Sequence, residues 1–180
     1  WATASHAAFD CKDGAITIGT ARAKTGGFAF FDVAGTRGLE IGIDEINGAG
    51  GIDGCQIKLI QGDTQSNPAL TGQVADELIK QGAQIIIAPS DFDAGVGASM
   101  AAQAAGLFSI SPEASSVAWT QAVQPNFFIG GMTEDDLGKA IGGFANEKGW
   151  ESAYIVTNTA YSFFTVQEKV FREVFKGEIV

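Results

Sequence analysis

Residues 85–116 read IIIAPSDFDAGVGASMAAQAAGLFSISPEASS, and this stretch decides the fold. It holds two apolar runs, 85–88 and 107–110, each too short for a helix. Each ends at a proline followed by polar residues: Pro89-Ser90-Asp91 after the first, Pro112-Glu113-Ala114-Ser115-Ser116 after the second. Between them, residues 94–105 are rich in alanine, with Val96, Met100, Ala101 and Ala104 at helical spacing. Strand, helix, strand is a parallel unit whose strands are buried on both faces. In open α/β sheets, ligands bind outside the carboxyl ends of the strands. Both polar clusters fall at such ends, so they are expected to form the two halves of one small-molecule site.

Outward from this unit the same rhythm repeats. A strand is expected at 15–20 (AITIGT), then a loop at 24–31 (KTGGFAFF) with two glycines and three phenylalanines. Helical spacing starts near Gly35, with Leu39, Ile43 and Ile46 on one face, and stops at Asn47-Gly48-Ala49-Gly50-Gly51. A strand at 56–62 follows, then a helix opened by Pro68 or Ala69, carrying Leu70, Val74 and Leu78 and ending at Gly82. The result is βαβαβαβ, the pattern of a doubly wound parallel sheet. Residues 119–125 break the rhythm, and 126–129 form one more short extended run before Gly130-Gly131. A helix follows, started by Thr133 with Asp135 and Asp136 in its first turn and Leu137, Ile141 and Phe144 on one face. A strand is expected at 153–157 (AYIVT), a helix at 162–176 with Val166, Val170 and Val174 on one stripe, and the start of a strand at 178–180. The pattern stops there in mid-course.

Bulk composition narrows the function. The chain has 180 residues, 46% hydrophobic and 18% charged, enough to bury a core. Its net charge of −10 argues against nucleic acid and against anionic membrane surfaces as partners. No apolar run approaches the roughly 20 residues of a membrane span. The N-terminus, WATASHAAFDCKDG, lacks a basic region followed by an apolar one, so an exported form would already have lost its signal. The two cysteines, Cys11 and Cys55, each precede a predicted strand. If those strands are parallel neighbours, the thiols can bridge, which points to an oxidising compartment. Two unrelated buried thiols are the alternative.

Catalytic motifs are sparse. Gly97-Ala98-Ser99-Met100-Ala101 falls inside a helix, not at a strand-to-helix turn, and the one histidine, His6, sits in the N-terminal tail, so a serine triad has no base. No phosphate-binding glycine loop occurs, and a soft-metal site lacks ligands. Asp91-Phe92-Asp93 is the best enzymatic candidate, as a magnesium-dependent phosphotransferase site. The competing reading makes both acids caps of the helix that begins near Ala94. Glu134-Asp135-Asp136 reads as a solvated helix start. The phenylalanines of TGGFAFF, Phe31 above all, suit a pocket wall as well as a core.

Three ordered segments then carry a resemblance: EIN-x-AGGI-x-G from Glu45 to Gly54, D-x-x-S-x-P from Asp63 to Pro68, and SPEAS from Ser111 to Ser115. With them the chain resembles, over nearly its whole length, the type I periplasmic binding proteins of ABC transporters, on the branch named for leucine, isoleucine and valine. The resemblance implies an α/β fold of two Rossmann-like lobes joined by crossing strands and closing on a ligand. Residues 1–125 would form the N-terminal lobe, 126–131 the crossing strand and hinge, and 132–180 the beginning of the second lobe. Family members are about twice this long, so the remainder of that lobe is expected to be absent here. By the same resemblance Glu113, Ala114 and Ser115 bind the ligand's carboxylate and ammonium, and Ser90, Asp91 and Phe92 supply further contacts. Phe31 is the aromatic after the first strand, and Tyr161 the one reaching in from the second lobe. Phe92 stands where a small Ser or Thr is usual, and Glu113 where the residue is often small. The implied function is an extracytoplasmic, periplasmic solute-binding subunit of an ABC importer, not an enzyme. It would need no cofactor or metal, and its partners would be a small-molecule ligand and a membrane permease. The ligand expected is an amino acid with an apolar or aromatic side chain. An aromatic carboxylic acid, or service as the sensor domain of a receptor, are the alternatives.

Overall fold

The computed structural model describes Cys11 and residues 14–180; His6 lies outside the described residues. Strand β1 (Ala15–Arg22) leads to α1 (Ala29–Gly48), β2 (Gln56–Asp63), α2 (Pro68–Lys80), β3 (Ile85–Ile87), α3 (Phe92–Ala104) and β4 (Phe108–Ser111). After these come α4 (Val117–Ala122), β5 (Phe127–Ile129), α5 (Glu134–Glu147), β6 (Ser152–Ala153), α6 (Ser162–Val174) and β7 (Glu178–Ile179). Strands β1–β5 form one parallel sheet in the order β2-β1-β3-β4-β5, and β6–β7 a second, two-stranded parallel sheet. The doubly wound α/β class expected from the sequence is therefore observed. In the larger sheet the order reverses direction between β1 and β3, the switch point at which such folds leave a crevice.

The core of the larger unit is built on small residues. Ala75, Leu78, Ile86, Ala88, Ala98, Ala102, Trp119, Val123 and Phe127 are all buried in one cluster. Helices α2 and α3 approach closely because Gly97 faces Thr71 and Gly72; a Cβ there would stand 2.8 Å from Thr71 Oγ1. The expected apolar stripe of α3 is only half its packing face: Val96 and Ala101 pack on the core, whereas Met100 and Ala104 do not. Met100 is exposed, and the side turned inward carries Ala94, Gly95, Ala98, Ser99 and Ala102, because so close a helix pair admits only small side chains. Helix α5 behaves alike. Ile141 and Phe144 are exposed, and the buried positions are Gly138, Gly142 and Ala145. Gly138 and Gly142 lie against Val170 and Val174 of α6, the valine stripe read from the sequence.

Four boundaries differ from expectation. Helix α1 begins at Ala29, six residues before Gly35, so Phe30 and Phe31 are helical. Gly26, at φ +84°, makes the turn, and the Phe28 amide is held by Ser66 Oγ at 2.9 Å. Helix α3 begins at Phe92, because Asp91 caps it by accepting from the Ala94 amide at 3.1 Å. The stretch 119–125, expected to break the rhythm, overlaps helix α4 (Val117–Ala122), which seats the fully buried Trp119. The strand expected at 153–157 pairs only through Ser152–Ala153, leaving Tyr154 and Val156 exposed. Cys11 and Cys55 form a disulfide, with Cα atoms 5.8 Å apart, beside the point where Ala15 pairs with Gln56.

Candidate functional site

At the carboxyl ends of β1, β3 and β4 the chain places a buried carboxylate, Asp32, in the first turn of α1. Its Oδ1 accepts from Arg22 Nη2 at 3.0 Å and from the Ser90 amide at 2.9 Å, and its Oδ2 accepts from the Ala23 amide at 2.8 Å. Arg22, also buried, extends to Glu113, with Nη1 3.1 Å from Oε1 and Nη2 3.0 Å from Oε2. The Arg22 guanidinium ties β1, α1 and the β4–α4 loop together, and the Asp32 carboxylate adds the β3–α3 loop through Ser90. Gly35 makes room for this cluster, since a Cβ there would stand 2.0 Å from Glu113 Oε1. Arg22 and Asp32 are the buried pair of this cluster, and removing Arg22 would leave the Asp32 charge buried without its cation, a loss typically about 3–5 kcal/mol.

On this frame opens a cleft of about 330 Å³. From the larger unit its walls take Phe28, Phe31, Ser90, Asp91, Phe92, Glu113, Ser115 and Ser116. Beyond the Gly130-Gly131 turn come Glu134 at the start of α5, and Tyr161, Phe163 and Phe164 at the start of α6. That turn crosses the β4–α4 loop at close range: a Cβ on Gly130 would meet the Pro112 carbonyl at 2.6 Å, and one on Gly131 the Ala114 carbonyl at 2.6 Å. Tyr161 sets its ring edge-on to Phe28, with centroids 5.3 Å apart. A second cavity, about 260 Å³ on the other side of α1, is lined by Thr20, Arg22, Lys24, Thr36, Arg37 and Glu40 among others, and has no aromatic wall.

Of the residues named from the sequence, the structure brings Phe31, Ser90, Asp91, Phe92, Glu113, Ser115 and Tyr161 into one cleft. Ala114 is not among its walls. Its side chain is buried in the core, its amide donates to the Ser111 carbonyl at 3.4 Å, and its carbonyl accepts from Gly131 at 3.1 Å. The backbone of Ser90 is likewise occupied by Asp32. Glu113 is engaged by Arg22. Of the two acids expected to cap the helix near Ala94, Asp91 does so, whereas Asp93 Oδ2 accepts from the amide and hydroxyl of Ser162, at the start of α6, at 2.7 and 2.8 Å.

Glu134 overturns an expectation. Read as part of a solvated helix start, it is only 4% exposed. Its amide donates to the Ser115 carbonyl at 3.2 Å. Burial pushes its pKa up, repulsion from Asp135, Asp91 and Asp93 adds to this, and the Ser115 hydroxyl partly opposes it. Asp91 is raised too, by burial first and then by Asp93 and Asp32, against the lowering effect of the Ala94 amide. Among the described residues, no Lys, Arg or His lines the cleft. It therefore joins aromatic faces and hydroxyls to carboxylates that gain from a positive charge between them.

Arg22, Asp32, Phe28, Glu134, Phe163 and Phe164 were not singled out as site residues. A charged residue ending the apolar strand AITIGTAR, and an acid set among the phenylalanines of FAFFD, are the signals for the first two. Glu134 follows closely on a glycine pair, the place where a chain leaving one unit enters the next.

Comparison with known proteins agrees with this geometry. A family profile described as periplasmic binding protein matches residues 15–180. The Leu/Ile/Val-binding protein homolog 1 of Brucella abortus is 28% identical over 127 residues, which is 71% of this chain and 34% of that protein. An amino acid binding protein of Pseudomonas aeruginosa is 28% identical over 130 residues, covering 72% of this chain and 35% of its own length. The branched-chain amino acid transporter substrate binding protein LivJ of Streptococcus pneumoniae, solved with isoleucine, superposes with a TM-score of 0.87 at 33% identity, over 92% of this chain and 48% of its own. A leucine binding protein LivK of Thermotoga maritima shares the fold, with a TM-score of 0.81 at 18% identity. This chain thus spans about a third of the curated relatives it matches and about half of the solved ones. It belongs to the periplasmic binding protein family.

Proposed function

We propose that the chain is the ligand-capturing part of an extracytoplasmic solute-binding subunit of an ABC importer, delivering an amino acid with an apolar or aromatic side chain to a membrane permease. Residues 1–125 serve as the first lobe, 126–131 as the crossing strand and hinge, and 132–180 as the start of the second. One observation carries the reading: a single cleft at the sheet's switch point combines six aromatic side chains, from Phe28 to Phe164, with serine hydroxyls and unneutralised carboxylates. Ser115 and Ser116 face the ligand's carboxylate, Asp91 and Glu134 its ammonium, and Phe31, Phe92 and Tyr161 its side chain. An aromatic acid lacking an ammonium would meet Asp91 and Glu134, neither of which is paired with a cation among the described residues, which disfavours that reading.

Calorimetric titration of the full-length protein with L-isoleucine, L-phenylalanine, benzoate and glucose tests this. Binding is expected for the amino acids, with Phe31→Ala costing about 1–3 kcal/mol through lost apolar contact. Tight binding of glucose, or affinity unchanged by Phe31→Ala and Ser115→Ala together, rules the site out.

A further inference from the structure

Helix α6 starts at Ser162 without a cap of its own. Tyr161 before it is extended, at φ −129° and ψ 136°, and offers no side-chain acceptor to the first-turn amides. The acceptor arrives from across the cleft. Asp93, in the first turn of α3, places Oδ2 2.7 Å from the Ser162 amide and 2.8 Å from its hydroxyl. Asp91 already caps α3, so Asp93 is left to serve the partner helix. A single carboxylate then faces the positive ends of two helices, one in each unit. Immediately beside this contact, Tyr161 rests edge-on against Phe28. The contact also runs against a local cost, because Asp93 repels Asp91 and Glu134.

We propose that Asp93 is a positioning residue for ligand capture: a helix cap supplied by one lobe to the other, which holds α6 and Tyr161 over the cleft and so sets how long a bound ligand stays. The proposal rests on the reading of the two units as a clamshell that closes on a ligand.

The test uses the full-length protein with a spin label at each of Lys80→Cys and Glu173→Cys, exposed positions on α2 and α6. Ser162→Pro removes both donors at once, yet it suits the helix, since proline is favoured at the first helical position and Tyr161 already has the extended backbone required before it. Asp93→Ala removes the acceptor, and Asp93→Asn restores an oxygen without the charge. In ligand-free protein, Ser162→Pro and Asp93→Ala are expected to shift the closed-to-open ratio about tenfold toward longer distances, with Asp93→Asn between them and the wild type. With L-isoleucine as probe, release should quicken by a similar factor at unchanged association rate. Failure of L-isoleucine to bind the wild type overturns the ligand reading, while the distances still decide the cap. Superimposable distance distributions in wild type and a folded Ser162→Pro overturn the proposal.

Discussion

The two sheets are stabilised by different means. In the larger one, β1 is paired along its whole length by β2 and again by β3, and Trp119, stacked on Phe127 with centroids 4.5 Å apart, fills the space below β4 and β5. In the smaller one, β6 and β7 meet at Ser152 and Ala153 alone, and cohesion comes from two helices locked glycine against valine. Large apolar side chains stand exposed in both units: Phe30, Ile41, Met100 and Phe128 in the first, Ile141, Phe144, Trp150, Tyr154 and Val156 in the second. The first unit is thus a framework that carries the Arg22–Asp32–Glu113 cluster, and the second presents its site residues, Glu134 and Tyr161, from the ends of helices. A cleft whose walls come from two units joined through the Gly130-Gly131 turn can close by moving one over the other.

The largest expected effect breaks the framework side of that contrast. The disulfide joins residues 44 apart in sequence and anchors the chain ahead of β1 to the start of β2. Loss of loop-closure entropy in the unfolded chain gives it about 4 kcal/mol in the chain-entropy model. A Cys11→Ser, Cys55→Ser double variant should lower the denaturant midpoint accordingly, with the slope unchanged. A midpoint within error of wild type shows that the first unit draws its stability from packing alone.

A middle-sized effect addresses the other half. A Cβ at Gly138 would lie 2.8 Å from the Gln167 carbonyl and from Val170 Cβ, neither of which can yield cheaply inside a helix pair. Gly138→Ala, despite its better helix propensity, should destabilise by about 1–3 kcal/mol through overpacking. Hydrogen exchange resolves where. Amides of α5 and α6 should lose protection while those of β1 and β3 keep theirs. Uniform loss throughout the chain makes the two halves one cooperative unit and removes the contrast.

How much of this was legible in the sequence follows from what each interaction leaves in the chain. Strand-helix alternation, the strand ends at Pro89 and Pro112, the opening of α2 at Pro68 and the cap at Thr133 are local, and local chemistry marks them. Helix faces built on glycine and alanine are not marked so, because close packing of α2 on α3 and α5 on α6 selects small residues, which hydrophobic periodicity ignores. The site divides the same way. Asp91 and Ser115 sit in polar clusters at strand ends, where a reader looks. Arg22 and Asp32 are ten residues apart and acquire meaning only when β1 and α1 bring them to 3.0 Å. Glu134, beside Asp135 and Asp136, differs from them only in the direction it faces, and Ser115 fixes that direction from nineteen positions away.

Glu134 gives the smallest effect and the sharpest one, because it separates stability from function at a single atom. Its folded pKa is raised, so between the ordinary carboxylate range and that raised value the native state holds a proton that the unfolded chain releases. Stability therefore falls as pH rises through this window, the reverse of a salt-bridged carboxylate. Above the window the ionised, buried group opposes folding. Glu134→Gln should accordingly melt higher than wild type at neutral pH and match it in acid, where both side chains are uncharged. The same substitution removes the charge that the proposed ammonium needs, so affinity for L-isoleucine should drop while the melting temperature rises. Opposite signs in the two measurements mark Glu134 as a residue kept for its ligand at the expense of the fold. A variant that melts lower than wild type at neutral pH shows instead that the carboxylate supports α5 structurally through Ser115.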